Sequence, residues 1–158
     1  MEDPIISGVV TDMSEAKVTV FGVPDRPGIS AALFEPLAEA NVNVDMIVQN
    51  TSTQGTTDIS FTMPMADMGD AEAIVSRVAG EIGATGVSHD NDISKVSLVG
   101  AGMKSAPGIA AKMFRILAGE GINIQAITTS EIKVSCLIEA KYAELAVRAL
   151  HDGFHLGD

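Results

Sequence analysis

Ala16-Lys17-Val18-Thr19-Val20-Phe21-Gly22 is echoed far downstream by Ser94-Lys95-Val96-Ser97-Leu98-Val99-Gly100. After a two-residue insertion the correspondence resumes: Pro27-Gly28-Ile29 with Pro107-Gly108-Ile109, Phe34 with Phe114, Leu37-Ala38 with Leu117-Ala118. It closes with Val42-Asn43-Val44 against Ile122-Asn123-Ile124. Apolar positions, turn residues and one Asn all recur, so the chain holds two copies of one fold unit.

Each copy is read from its periodicities. Lys17 to Val23 is β-branched and apolar, a strand. Asp25-Arg26-Pro27-Gly28 is a turn feeding a helix, with Pro near the first helical position. Ile29, Leu33, Phe34 and Leu37 form its apolar stripe, and Asn41 ends it. Val42 to Gln49 alternates at strand period. A turn over Thr51 to Gly55 leads to a third strand carrying Ile59, Phe61 and Met63. Ala71, Ile74, Val75, Val78 and Ile82 mark a second helix, and Gly86 to Asp92 a fourth strand. The order β-α-β-β-α-β is the ferredoxin-like unit.

The second copy repeats this order, with a strand at Lys95–Val99 and a helix over Pro107–Gly119. Strands at Ile122–Thr129 and Ile132–Glu139 follow, then a helix marked by Tyr142, Leu145, Ala146, Ala149 and Leu150. It lacks a fourth strand. Ile5 to Thr11 is strand-like and belongs to neither repeat, so the expectation is that it completes the second unit and covers an open edge. The fold class is therefore α+β: two ferredoxin-like βαββαβ units, each an antiparallel sheet with helices on one face. The expected domains are residues 14–92, and residues 3–13 plus 93–158.

Composition excludes several functions. Twenty-one Asp and Glu stand against ten Lys and Arg, a net charge of −11, which argues against nucleic acid and anionic membranes. No stretch approaches the ~20 apolar residues of a membrane span. The acidic start, Met1-Glu2-Asp3-Pro4, lacks the basic region of a signal peptide, so a cytoplasmic location is expected. One cysteine excludes a disulfide scaffold.

Catalytic constellations are scarce. Gly100-Ala101-Gly102 lacks the third Gly of a dinucleotide fingerprint, and Lys104-Ser105 lacks the Gly pattern of a P-loop. Cys136, in an apolar strand, reads as core. His151 and His155 have i, i+4 spacing without further ligands, and Asp90-Asn91-Asp92 fails the calcium-loop spacing. No catalytic residue and no metal site are assigned.

The turns before the first helix of each copy are more informative. Amides of a helix's first turn lack intrahelical partners and suit an anion such as a carboxylate. Asp25 offers a carboxylate to an ammonium group, and Gly28 permits close approach to the backbone. Together they would recognise a free amino acid. The alternative is that Asp25 caps the helix and Pro27-Gly28 is turn chemistry. Thr128-Thr129-Ser130-Glu131, like its counterpart Asn50-Thr51-Ser52-Thr53, either forms a turn or hydrogen-bonds a polar ligand.

Two such repeats, with Asp25-Arg26-Pro27-Gly28 and Val48-Gln49-Asn50, resemble ACT domains. Lys95 to Met103 and Ile127-Thr128-Thr129-Ser130-Glu131-Ile132 resemble more specifically the regulatory region of aspartate kinases. The resemblance covers about Ile5 to Phe154. It implies a regulatory β subunit, made apart from the kinase lobe and associated with a catalytic α subunit as α2β2. It implies feedback inhibition by threonine, lysine or both, bound at ACT–ACT interfaces of a homodimer, with ATP used only by the catalytic partner. By motif, one effector site uses Asp25, Pro27, Gly28, Ile29, Ser30, Gln49 and Asn50. The second unit of the partner chain completes it with Ile109, Asn123, Ile124, Gln125, Thr129, Ser130 and Glu131. Gln125 stands where relatives often carry an acid, and Ala106 where many carry His, which weakens a charged-ligand site on the second unit. A regulatory subunit of another amino-acid enzyme, such as acetolactate synthase, is the alternative. A small enzyme and a bare dimerisation module are the remaining ones.

Overall fold

The computed structural model describes residues 5–50, 54–101 and 107–156. Secondary structure runs β1 (Ile5–Asp12), β2 (Glu15–Pro24), α1 (Ile29–Glu39), β3 (Ile47–Gln49), β4 (Thr56–Pro64), α2 (Met68–Ile82) and β5 (Gly86–Asp90). It continues with β6 (Ile93–Ala101), α3 (Pro107–Gly119), β7 (Ala126–Thr129), β8 (Lys133–Glu139) and α4 (Ala143–Gly153). The chain divides into two compact units. Ser14–Asn91 is one; the other joins the segment ending at Met13 to Asp92–Asp158. They are called here the first and second units.

The first unit is a four-stranded sheet of order β3-β4-β2-β5, with every neighbouring pair antiparallel. Val18, Val20, Ile59, Phe61 and Met63 on its strands are buried against Leu33 and Leu37 of α1 and Val75 and Val78 of α2. The Phe34 and Phe61 rings meet edge to face, centroids 5.3 Å apart. The second unit is a sheet of order β1-β6-β8-β7, also antiparallel throughout. Here β1 occupies the edge that β5 occupies in the first. Its core gathers Val96, Leu98, Val134, Cys136 and Ile138 with Met113 and Leu117 of α3 and Ala146 and Leu150 of α4. The α+β class with two ferredoxin-like units is what the repeat leads one to expect.

Correspondence between the copies extends to single hydrogen bonds. Thr19 faces Ser60 across β2 and β4, and the hydroxyls lie 2.8 Å apart. The aligned Ser97 faces Ser135 across β6 and β8 at 2.7 Å. Such pairing satisfies hydroxyls that would otherwise be costly to bury. The helix ends also match. Asn41 and Gly121, at aligned positions, take left-handed φ of 60° and 72°. The next amides, of Val42 and Ile122, reach back to the carbonyls of Leu37 and Leu117 at 2.9 and 3.0 Å. Ala84 bonds Ala79 after Gly83, and Leu156 bonds His151 after His155, in the same way. All four helices thus end in the left-handed cap that satisfies their last carbonyls.

Two strands are shorter than their alternation implies. β3 begins at Ile47 rather than Val42, and β7 at Ala126 rather than Ile122. Val42 and Met46 are buried, so the alternation is real. Before β3, Asp45 and Met46 both face Thr62: the Asp45 amide donates to the Thr62 carbonyl at 3.0 Å, the Thr62 amide to the Met46 carbonyl at 2.9 Å, and the Met46 amide to the Thr62 hydroxyl at 3.0 Å. Burial alternates, but the backbone pairing of a strand is incomplete there.

Candidate functional site

The first-unit residues collect where β2 ends, α1 begins and the edge strand β3 stops. Gly28 is the N-cap of α1, at φ 87°. A side chain there would be strained, yet a Cβ would meet nothing within 4 Å. The space above the helix start is therefore open. Pro27 precedes the cap, so it lies outside the helix, unlike Pro107, which begins α3. α1's first intrahelical bond runs from the Ala32 amide to the Gly28 carbonyl at 3.0 Å.

Asp25 is exposed, and its backbone amide donates to the Gly55 carbonyl at 2.9 Å. This ties the turn to the segment after β3. No side chain caps α1, and among the described residues the Asp25 carboxylate has no hydrogen-bond or ion-pair partner. The reading of Asp25 as a helix cap is thereby corrected: Gly28 takes the cap position, three residues on. The acid stands free in the turn that leads into α1.

Ser30 and Gln49 are brought together directly. The Ser30 hydroxyl donates to Gln49 Oε1 at 3.2 Å, linking α1's first turn to β3. Gln49 is exposed and keeps its amide nitrogen for other partners. Asn50 is exposed, and its carbonyl accepts the Thr57 hydroxyl. Ile29 differs from the others. Its side chain is buried in the core and its amide donates to the Arg26 carbonyl at 3.2 Å, so it supports the site rather than lining it. Gly55 and Thr57, which hold Asp25 and Asn50, carry no ligand chemistry, and the sequence signals only a turn at Gly55. Thr51, Ser52 and Thr53 lie outside the described residues.

The second-unit candidates lie on α3, on the segment before β7 and on the β7–β8 turn. Ile109 is buried on α3. Asn123 and Gln125 are exposed, with Ile124 packed against the core between them. The Gln125 amide donates to the Leu137 carbonyl at 2.8 Å. Thr129 and Glu131 are exposed. Ser130 is committed to the turn: its hydroxyl oxygen accepts the amides of Ile132 and Lys133 at 3.3 and 3.1 Å. Its own amide donates to the Lys133 carbonyl at 2.8 Å. The loop before α3, with Lys104, Ser105 and Ala106, lies outside the described residues.

Each set borders an edge strand with exposed apolar side chains. Ile47 on β3 is 54% exposed and Ile127 on β7 is 46% exposed. Cys136 is fully buried, and burial pushes its thiol up to about 12, so it is no nucleophile at neutral pH. Among the described residues no three His, Cys, Asp or Glu side chains group as metal ligands, and no helix is long and apolar enough to cross a membrane.

Two ACT domain models match, one at residues 17–88 and the other at residues 96–154. The regulatory subunit of aspartate kinase from Thermus thermophilus, in ligand-free form, is 40% identical with a TM-score of 0.91. It covers 94% of this chain and 98% of its own. A crystal structure of aspartokinase alpha and beta subunits contains a chain 50% identical, TM-score 0.90, covering 96% of this chain and 100% of its own. The chain belongs to the aspartate kinase family. Within it, this chain is a tandem ACT regulatory region. Aspartate kinase of Pseudomonas fluorescens is 54% identical across 99% of the chain. The chain spans 38% of that relative's length, so it corresponds to part of an aspartate kinase rather than all of one.

Proposed function

We propose that this chain is the effector-sensing part of an aspartate kinase, binding threonine, lysine or both and passing the signal to a catalytic partner. The observation that carries the reading is the α1 turn. An unpartnered carboxylate at Asp25, open backbone at Gly28 and the Ser30–Gln49 bond converge at a helix N-terminus. The ligand carboxylate binds the first-turn amides of α1, where partial positive charge concentrates. Asp25 receives the ammonium. Ser30, Gln49 and Asn50 provide hydrogen bonds for a polar side chain.

The site is open on one side, beside the free edge of β3. A second copy closes it, contributing Asn123, Ile124, Gln125 and the Thr129–Glu131 turn from its second unit. The exposed Ile47 and Ile127 give the two edges apolar surface to bury on pairing. A ligand held between copies binds one subunit arrangement better than another, so it shifts the population toward that arrangement. Coupling of about 1–3 kcal/mol changes affinity some 5–150-fold, enough for feedback inhibition. The catalytic partner carries ATP and aspartate, as an α subunit in an α2β2 assembly, in the cytoplasm. That the matched crystal structure holds alpha and beta subunits supports this assembly.

A titration of the chain with threonine, lysine and the branched-chain amino acids tests the reading. Binding of threonine or lysine is expected. Binding of branched-chain amino acids alone would favour a regulator of another enzyme, such as acetolactate synthase.

A further inference from the structure

A cleft of about 640 Å³ lies in the second unit, where the end of β1 meets the first half of α4. Within that unit it lies at the opposite sheet edge from the β7–β8 turn. β1 and β7 are opposite edges of the same four-stranded sheet, three strand spacings or roughly 14 Å apart. Its volume is in the range that holds small molecules.

The lining combines apolar and cationic groups. Met13 and Val147 supply apolar surface, and Thr11 a hydroxyl. Glu144 and Arg148, four apart, share one side of α4, and Lys141 lies in the 3-10 turn Ala140–Tyr142 that precedes the helix. Lys141 is held in place: its Nζ lies 3.6 Å from Glu139 and 5.0 Å above the Tyr142 ring. Tyr142 first and Glu139 second also raise its pKa, so it is cationic at neutral pH. Arg148, at the other end, has no ion-pair partner among the described residues. A guanidinium presents a fixed fork that matches a carboxylate. With Lys141 paired to Glu139, the Arg148 guanidinium is the lining cation left to meet an anion, in a chain whose overall charge is −11. Met13, 52% exposed, is a flexible apolar wall able to fold over a small aliphatic group.

We propose that this cleft is a second ligand site, for small organic carboxylates with a short branched aliphatic body. Arg148 binds the carboxylate and Met13 and Val147 cover the aliphatic part. The site is contained in one unit, and it stands whether or not the α1 turn binds an amino acid.

Isobutyrate and isobutanol share an aliphatic body and differ in charge, so they are the probes. The full chain, labelled at Met and Val methyls, is titrated with each at millimolar concentration and followed by NMR. Isobutyrate is expected to shift the Met13 and Val147 methyls saturably, and isobutanol to bind them far more weakly. Arg148→Gln is expected to weaken isobutyrate roughly ten-fold. Arg148 is exposed, so this variant should melt at the wild-type temperature without ligand. Absence of saturable shifts, equal binding of the two probes, or unchanged isobutyrate binding in a folded Arg148→Gln variant would each overturn the proposal.

Discussion

At Asp25 the proposed role in ligand recognition can be separated from helix capping. A capping side chain is worth about 1 kcal/mol to its helix. The Asp25 carboxylate makes no such bond, because the cap position belongs to Gly28. Asp25→Ala is therefore expected to leave the melting temperature within about a degree or two of wild type. It should nonetheless weaken amino-acid binding by ten-fold or more, the scale of a lost charged hydrogen bond. Calorimetry and thermal melting on the same samples check both halves. Gly22 behaves in the opposite way. It sits at the β2 irregularity between Val20 and Val23 with φ 61°, and a Cβ there would lie 2.4 Å from Thr85 Oγ1. Gly22→Ala should cost about 1–3 kcal/mol of stability in denaturant unfolding. Cys136 gives a third test. Its thiol titrates near 12 folded and at an ordinary 9.0 when exposed. The stability this neutral thiol contributes is whole below pH 9.0 and is lost progressively as pH rises toward 12. A thiol reagent at neutral pH should accordingly label Cys136 only after denaturation.

At the scale of elements, the two copies show what periodicity carries and what it leaves out. Helix α3 begins at Pro107 and ends at Gly119, the span that the apolar stripe and its flanking residues imply. α1 starts only at Ile29, because Gly28 takes a left-handed conformation that no hydrophobic pattern encodes. The shortened β3 and β7 teach a related lesson. Alternating burial at Val42 and Met46 is written in side chains, whereas the irregular pairing before β3 involves Thr62, sixteen residues on from Met46. The candidate site divides similarly. Residue types and turns at Asp25, Gly28 and Gln49 were visible in the sequence. The Ser30–Gln49 bond and the commitment of Ser130 to its own turn depend on where chain segments meet. Core positions repeat faithfully, so their energetics should too. Leu37→Ala and Leu117→Ala, at aligned and fully buried positions, should each cost about 2–5 kcal/mol by denaturant titration.

For the whole molecule, charge is unevenly divided. The first unit, Ser14–Asn91, holds eleven acids against three bases, and the remainder holds ten against seven. Net charges of −8 and −3 make contact between two first units the most repulsive pairing available. A site that joins a first unit to the second unit of another copy avoids that repulsion. Effector binding at such a site must strengthen association by linkage, since ligand and partner bind the same arrangement. Sedimentation with and without threonine should show a shift toward dimer, larger when salt screens the acidic surfaces. The most direct measurement is isothermal titration of the chain with threonine and with lysine. Saturable heat from at least one of them, diminished by Asp25→Ala, is the predicted result. No heat from either, in a folded and dimeric sample, would contradict the assignment of this chain as the amino-acid sensor of an aspartate kinase.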